Sequence, residues 1–190
     1  SGPLTRAMCA PIGDGASAAI VCSSAVFAGL PAATRERAIR IRATGFSGGT
    51  FRSFSEPGLS RIAADQAYKA ADVNPEAINV AEVHDATSFC EIFQAEMLRF
   101  CEDGKGGALV EAGETEIGGR IPMNTSGGLV SKGHPIAATG LSMIHEVATQ
   151  LRGEAGERQV PGATIGLTEN GGGVIGFEEA VCVVNILDRA

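Results

Sequence analysis

Residues 124–140 read NTSGGLVSKGHPIAATG, and this stretch decides how the rest of the chain is interpreted. Glycine permits positive backbone torsions and close approach of the backbone, while Pro135 suits the first position of a helix. The stretch therefore predicts that His134 is held just before a helix N-terminus. Apolar residues at helical spacing continue that helix, namely Leu141, Ile144, Val147, Ala148 and Leu151.

The motif alone leaves two interpretations of His134 open. One is a rigidly held catalytic imidazole, and the other is an ordinary polar histidine in a capped turn, because a short motif has a real false-positive rate. His145 lies within the same helix, between Ile144 and Glu146, and is interpreted as a surface or packing residue.

Composition excludes several classes of protein. The chain has 190 residues, 44% of them hydrophobic, and a formal net charge of −7 without any basic block. Nucleic acid and anionic membrane are therefore not expected as partners. No apolar run approaches the roughly 20 residues that span a bilayer, and the first residues do not resemble a signal peptide, so we expect a cytoplasmic protein.

The five cysteines are odd in number and scattered, with no C-x-x-C pair. This pattern argues against a disulfide framework and against a zinc site, so no metal is expected. Cys22 and Cys182 fall inside apolar runs, which predicts that both are buried as small hydrophobic residues.

Apolar periodicity predicts an α/β layered domain whose mixed, five-stranded sheet carries helices on both faces. Strands are predicted at 16–21, 38–43, 78–83, 163–167 and 174–186, and helices at 24–30, 57–71, 88–100 and after Pro135. The Gly-rich, acidic segment 101–119 is predicted to be an exposed excursion. The main boundary is placed before residue 38, which separates a segment 1–37 from a domain 38–190.

Three loops follow strand ends or glycine turns: VHDATS at 83–88, GHP at 133–135 and TENGGG at 168–173. Supporting motifs are GGRIP at 118–122, LRGEAG at 151–156 and DGASAA at 14–19. In this order they resemble the C-terminal half of the thiolase superfamily, most like sterol-carrier-protein-type thiolases and acetyl-CoA acetyltransferase-like proteins.

That resemblance implies a five-layered fold of two duplicated halves, in which 1–37 is the last part of the N-terminal thiolase domain and 38–190 is the C-terminal thiolase domain. It implies an acyltransferase of lipid metabolism that moves acyl groups between a cysteine thiol and coenzyme A. The coenzyme A thioester is then a substrate, with no permanently bound cofactor. Because the nucleophilic cysteine of such enzymes lies in the other half, this chain alone is expected to be inactive.

The resemblance also implies roles for individual residues. His134 would stand beside the nucleophilic cysteine, lower its pKa and donate to a thioester oxygen. His84 would help His134 to build an oxyanion site, and the backbone amides around Gly171 would approach the same acyl group. For His84-Asp85 an additional interpretation is a strand-end turn in which Asp85 caps the following helix.

The chain departs from the thiolase pattern at the second acid/base, which is usually a cysteine. The two positions where it could stand hold Ala86 and Glu169, and Cys90 lies about a helical turn beyond the first of them. Glu169 is a candidate replacement if burial raises its pKa; otherwise it is a solvated loop carboxylate. Cys90 is interpreted as a helix-packing residue.

Two alternatives to acyl transfer stay open. The first is a carbon-carbon lyase, an aldolase that acts on acyl-CoA side chains, because loss of the second cysteine can change the reaction. The second is a non-catalytic subunit that a partner chain completes. The resemblance further implies a homodimer or a larger assembly and leaves room for a small acyl-CoA-binding partner protein.

Overall fold

The computed structural model describes residues 2–190, and within that range four strands form one mixed sheet. The strands are β1 (Ile39–Gly48), β2 (Val80–Val83), β3 (Ile165–Gly172) and β4 (Val181–Arg189). Their order across the sheet is β1-β4-β3-β2. Strand β4 is antiparallel to β1 and to β3, and β2 is parallel to β3. The carboxyl ends of β1, β2 and β3 therefore lie at the same edge of the sheet.

The helices of the described range are α1 (Ser24–Ala28), α2 (Ala32–Glu36), α3 (Leu59–Ala71), α4 (Ser88–Met97), α5 (Gly106–Glu111), α6 (Gly128–Lys132) and α7 (Thr139–Arg152). Three single turns of 3-10 helix add to them, at Arg6–Met8, Pro75–Ala77 and Gly156–Arg158. Among residues 2–190, no helix is both long enough and apolar enough to cross a bilayer.

Helices cover both faces of the sheet, as predicted for the α/β class. Successive side chains of a strand point to opposite faces, and β4 shows this alternation. Cys182, Val184 and Ile186 join the main core with residues of α3 and α4, whereas Leu187 packs with Val147 and Leu151 of α7. The predicted layered fold is therefore confirmed.

The predicted strand at 16–21 is wrong, and the sheet has four strands rather than five. Residues 16–21 carry no strand hydrogen bonds, and Ile20 is 100% exposed. The apolar pattern describes a local preference, but a strand forms only where another strand supplies the hydrogen-bonding partners. None of residues 2–37 is buried.

Several predicted bounds also differ. The last predicted strand begins at Val181 rather than at 174, because the residues between form a loop in which Val174 is 82% exposed. The excursion at 101–119 contains α5, whose Leu109 is buried in the core. Cys22 is exposed because its segment has no covering layer within the described residues, while Cys182 is buried as predicted.

Candidate functional site

The three predicted loops converge at the carboxyl edge of the sheet. His84 follows β2 directly, and residues 169–172 form the end of the neighbouring parallel strand β3. His134 arrives from the connection between α6 and α7. Because β2 and β3 run in the same direction, their ends present His84 and the glycines of β3 together, which is where ligands collect in open α/β sheets.

The two imidazoles are in contact. The ring centroids of His84 and His134 lie 4.9 Å apart, with the ring planes inclined at 65°. Burial is the main cause that lowers the pKa of His84, and the charge of His134 lowers it further, while the backbone of Gly171 opposes the change. His84 is therefore predominantly neutral at neutral pH and can present an N–H without carrying a charge.

Thr139 fixes the ring of His134. The Nδ1 atom of His134 lies 2.8 Å from Oγ1 of Thr139, and that hydroxyl donates to the carbonyl oxygen of Pro135 at 3.1 Å. A hydroxyl has one proton to donate, so Nδ1 of His134 is assigned as the donor to Thr139. Nε2 of His134 then carries the free lone pair, which is the arrangement that a general base requires.

The turn after His134 differs from its predicted form. The sequence predicts Pro135 at the first position of the helix, but α7 begins at Thr139, with Ala138 as its N-cap. The carbonyl oxygen of Pro135 instead accepts from the N–H groups of Ala138 and Thr139. Ala137 has a φ of 75°, an unusual torsion for a residue with a Cβ. This turn aims the side chain of Thr139 back at the histidine.

Asp85 caps a helix other than the predicted one. The prediction is a cap on α4, which follows it in the chain, but its carboxylate accepts from the N–H groups of Leu129 and Val130 in α6 at 2.6 and 3.3 Å. Burial is the main cause that raises the pKa of Asp85, and these two hydrogen bonds oppose it. Asp85 thereby ties the loop of His84 to the helix that precedes His134.

Glu169 lies inside β3 rather than in a loop, and its side chain is completely buried. Its Oε2 accepts from the backbone N–H of His84 at 3.1 Å, and its Oε1 accepts from the thiol of Cys182 at 3.2 Å. Burial raises the pKa of Glu169 to about 7, against the smaller opposite effect of these two hydrogen bonds. The alternative of a solvated carboxylate is excluded.

Gly171 lies against the side chain of Glu179. A Cβ at this residue would lie 2.5 Å from Cγ of Glu179. Its carbonyl oxygen accepts from the amide of Asn170 at 3.3 Å. Among the described residues, Nδ1 of His84 and Oδ1 of Asn170 are buried polar atoms without a hydrogen-bonding partner. Both atoms lie at this site.

Sequence reasoning missed Glu82, a second buried carboxylate beside the site. It lies in β2 and accepts from the backbone N–H and the hydroxyl of Ser126, at 3.0 and 2.6 Å. Lys132 stands 3.7 Å away, yet burial outweighs this cation and raises the pKa of Glu82 to about 7. The available signal was a single acidic residue within the otherwise apolar strand sequence VAEV.

The other expected position of the second acid/base is Ala86, and Cys90 follows it in the chain. Ala86 is exposed in the loop after His84, and Cys90 lies in the first turn of α4 with its thiol 3.3 Å from the hydroxyl of Thr87. Within residues 2–190, no three His, Cys, Asp or Glu side chains form a group that could hold a metal ion.

The fold and the paired imidazoles define an α/β domain with two histidines in contact at the carboxyl edge of its sheet. Residues 54–185 match the family described as "Thiolase C-terminal domain-like". This match covers more than half of the chain, and the chain belongs to that family.

Two known proteins are similar in sequence to most of this chain. An acetyl-CoA acetyltransferase of Methanothermobacter thermautotrophicus is 42% identical over 92% of this chain and 46% of its own length. Human sterol carrier protein 2 is 40% identical over 93% of this chain and 35% of its own length. The chain thus spans between about a third and a half of these relatives.

A solved structure shares the fold. The chain of "Ltp2-ChsH2(DUF35) aldolase" superposes with a TM-score of 0.66 at 24% identity, covering 80% of this chain and 39% of that one. The benzoylsuccinyl-CoA thiolase subunit BbsB of Thauera aromatica is 31% identical over 90% of this chain and 45% of its own length.

Proposed function

We propose that this chain supplies the two-histidine part of a thiolase-type acyltransferase that acts on coenzyme A thioesters. The observation that carries the proposal is the contact between His84 and His134, at 4.9 Å, with the second of these rings oriented by Thr139. The nucleophilic cysteine would come from outside this chain, in the complete protein or in a partner subunit. No permanently bound cofactor is required for this chemistry.

In the proposed mechanism, Nε2 of His134 takes the proton of the cysteine thiol, and the thiolate attacks the thioester carbonyl carbon. His84 and the backbone amides around Gly171 stabilise the oxyanion that develops. When the tetrahedral intermediate collapses, the bond to the sulfur of coenzyme A breaks, and the imidazolium of His134 returns a proton to that leaving group.

We further propose Glu169 as the second acid/base, in place of the usual cysteine. What supports this role is a pKa raised by burial to about 7, at which the carboxyl group is half protonated near neutral pH. The carboxyl group of Glu169 contacts the site by accepting a hydrogen bond from the backbone N–H of His84. The backbone N–H of His84 does not carry protons near neutral pH, so this role requires the complete protein to bring substrate within reach of the carboxyl group of Glu169.

An aldolase that cleaves acyl-CoA side chains is a second candidate. Ala86 and Glu169 occupy both positions where a thiol acid/base is expected, which favours a reaction that does not use that thiol. The solved structure that shares the fold is named as an aldolase. The oriented imidazole of His134 favours acyl transfer, because that step needs a base beside a thiol.

A subunit that a partner completes is a third candidate. The relative from Thauera aromatica is named as a subunit, and the name of the solved aldolase joins two proteins. We expect a homodimer or a larger assembly in the cytoplasm, together with a small acyl-CoA-binding protein in this third case.

Replacing His134 with Ala in the complete protein tests the proposal. The acyl-transfer rate should fall by roughly two orders of magnitude or more, the usual scale for an acid/base or an oxyanion donor. His145→Ala is the matched control, because that histidine is exposed on α7. Near-normal turnover of a folded His134→Ala variant would contradict the assignment.

The same assay separates the first two candidates. A thiolase cleaves a 3-ketoacyl thioester only when free coenzyme A accepts the acyl group. An aldolase releases a carbonyl compound from a 3-hydroxyacyl thioester without free coenzyme A. Product analysis with and without added coenzyme A therefore identifies the reaction.

A further inference from the structure

Near the start of the chain, residues 9–12 form backbone hydrogen bonds to two loops, the loop that carries His84 and the loop that carries His134. The backbone N–H of Ala10 donates to the carbonyl oxygen of Ala86 at 2.9 Å. The backbone N–H of His134 donates to the carbonyl oxygen of Pro11 at 2.8 Å. Isolated β-bridges flank these bonds, one between Cys9 and Thr87 and one between Ile12 and His134. We call residues 9–12 the clasp.

The clasp joins loops that arrive from different elements. The loop of His84 follows β2, whereas His134 lies between α6 and α7. Two consecutive residues of the clasp, Ala10 and Pro11, each bond to one of these loops. The spacing between the loops is therefore set by a backbone stretch of only two residues, within which the peptide unit between Ala10 and Pro11 is planar and the φ of Pro11 is fixed by its ring.

Apolar burial does not account for the clasp. Ile12 is 78% exposed, and residues 9–12 lie outside the part of the chain that matches the thiolase family, which begins at residue 54. The backbone bonds to the two histidine loops are the contacts that hold this segment against the domain.

We propose that the clasp is a positioning segment, which holds the imidazoles of His84 and His134 in contact. The role of the clasp in catalysis rests on the proposed function. Its effect on the positions of the two imidazoles does not depend on that function. A measurement on the imidazoles themselves therefore tests the clasp even if the proposed reaction is wrong.

Gly15 provides a steric means of moving the clasp. A Cβ at Gly15 would lie 2.9 Å from Cβ and Cγ of Pro135, the residue next to His134. Real Cβ atoms do not approach other atoms so closely, so Gly15→Ala must push the leading segment away from the His134 turn. Gly13→Ala is the matched control, because a Cβ there meets nothing within 4 Å and the backbone N–H is kept.

Nuclear magnetic resonance of the histidine side chains gives the readout, because the chain has only three histidines. The contact with His134 contributes to the lowered pKa of His84, after the larger effect of burial. Separating the loops should therefore raise the titration midpoint of His84 toward the ordinary value of an imidazole. The imidazole signals of His134 should shift as well, and His145 is the internal control.

The expected result is that Gly15→Ala changes the signals of His84 and His134 but not those of His145, while Gly13→Ala changes none of them. The proposal is overturned if Gly15→Ala leaves both imidazoles as they are in the wild type, or if Gly13→Ala shifts them equally.

A second variant decides the matter if Gly15→Ala does not fold. Ala10→Pro removes the N–H that donates to Ala86, and the residue before it, Cys9, already has the extended torsions that precede proline, with φ −113° and ψ 138°. The same rise in the midpoint of His84 is expected. An unchanged midpoint in folded Ala10→Pro overturns the clasp.

Discussion

Ionisation of a buried carboxyl group lowers the free energy of unfolding when its hydrogen-bonding partners are uncharged. Glu169 is such a group, because it accepts hydrogen bonds from a backbone N–H and from a thiol. Burial raises the pKa of Glu169 from 4.5 to about 7. Below about pH 4.5 the folded and unfolded states both hold the proton. Between the two values only the folded state holds it, so the free energy of unfolding falls as the pH rises through this window and is constant above it.

Glu169→Gln removes this contribution because an amide does not ionise. Between pH 5 and pH 8 we expect the free energy of unfolding to fall less in the variant than in the wild type. The difference between the two decreases should be at most ~3 kcal/mol. Urea unfolding at the two pH values is the measurement. Glu82→Gln should act in the same direction, because burial also raises the pKa of Glu82 to about 7. An unaltered pH dependence in Glu169→Gln would show that this carboxyl group ionises freely.

At the residue scale, sequence motifs identify the histidines but not the groups that orient them. His84 and His134 stand in recognisable loops, and the structure brings them into contact. No motif points to Thr139, because its role depends on a turn that reverses the chain through the positive φ of Ala137. The sequence does not indicate this turn, because alanine is not a residue that favours a positive φ.

At the scale of elements, the packing of α3 on β1 depends on an absent side chain. A Cβ at Gly45 of β1 would collide with the carbonyl oxygen of Ala63 and lie 2.9 Å from the backbone nitrogen of Ala67, both in α3. Ala63, Ala64 and Ala67 are completely buried. Small residues on the helix and glycine on the strand allow the two backbones to approach closely.

Gly45→Ala should therefore destabilise the chain by about 3 kcal/mol, the upper end of the usual cost of overpacking, because backbone atoms cannot rotate away. Gly48→Ala is the control in the same strand, since a Cβ there meets nothing within 4 Å. Denaturant unfolding of both variants at one pH is the measurement. Equal stabilities of the two variants would mean that α3 shifts without cost.

Element types could be predicted from periodicity, but partners could not. The helix predicted at 57–71 appears as α3, and the strand predicted at 78–83 appears as β2. The segment 16–21 has an equally apolar pattern, yet it has no neighbouring strand in the described residues. Periodicity reports which face a segment would bury, and it does not report whether a surface is available to bury it.

At the scale of the whole molecule, the segment before residue 38 carries exposed apolar side chains that the domain does not cover. Ile20 is 100% exposed, Val21 74% and Val26 55%. The clasp and contacts such as the ion pair of Arg37 with Glu154 connect this segment to the rest. Large apolar side chains exposed close together in the chain favour association with another surface.

We therefore expect this chain, when prepared by itself, to associate through its leading segment. Light scattering should give a mass above the 19.4 kDa of one chain, rising with concentration. The double variant Ile20→Ser and Val21→Ser should return the mass toward that of one chain, because it removes apolar surface that only association would bury. Ile117→Ser is the control, since Ile117 is 46% exposed but lies far along the chain, between α5 and α6. A strict monomer whose leading segment resists proteolysis would contradict this expectation, because it would require the domain itself to cover these side chains.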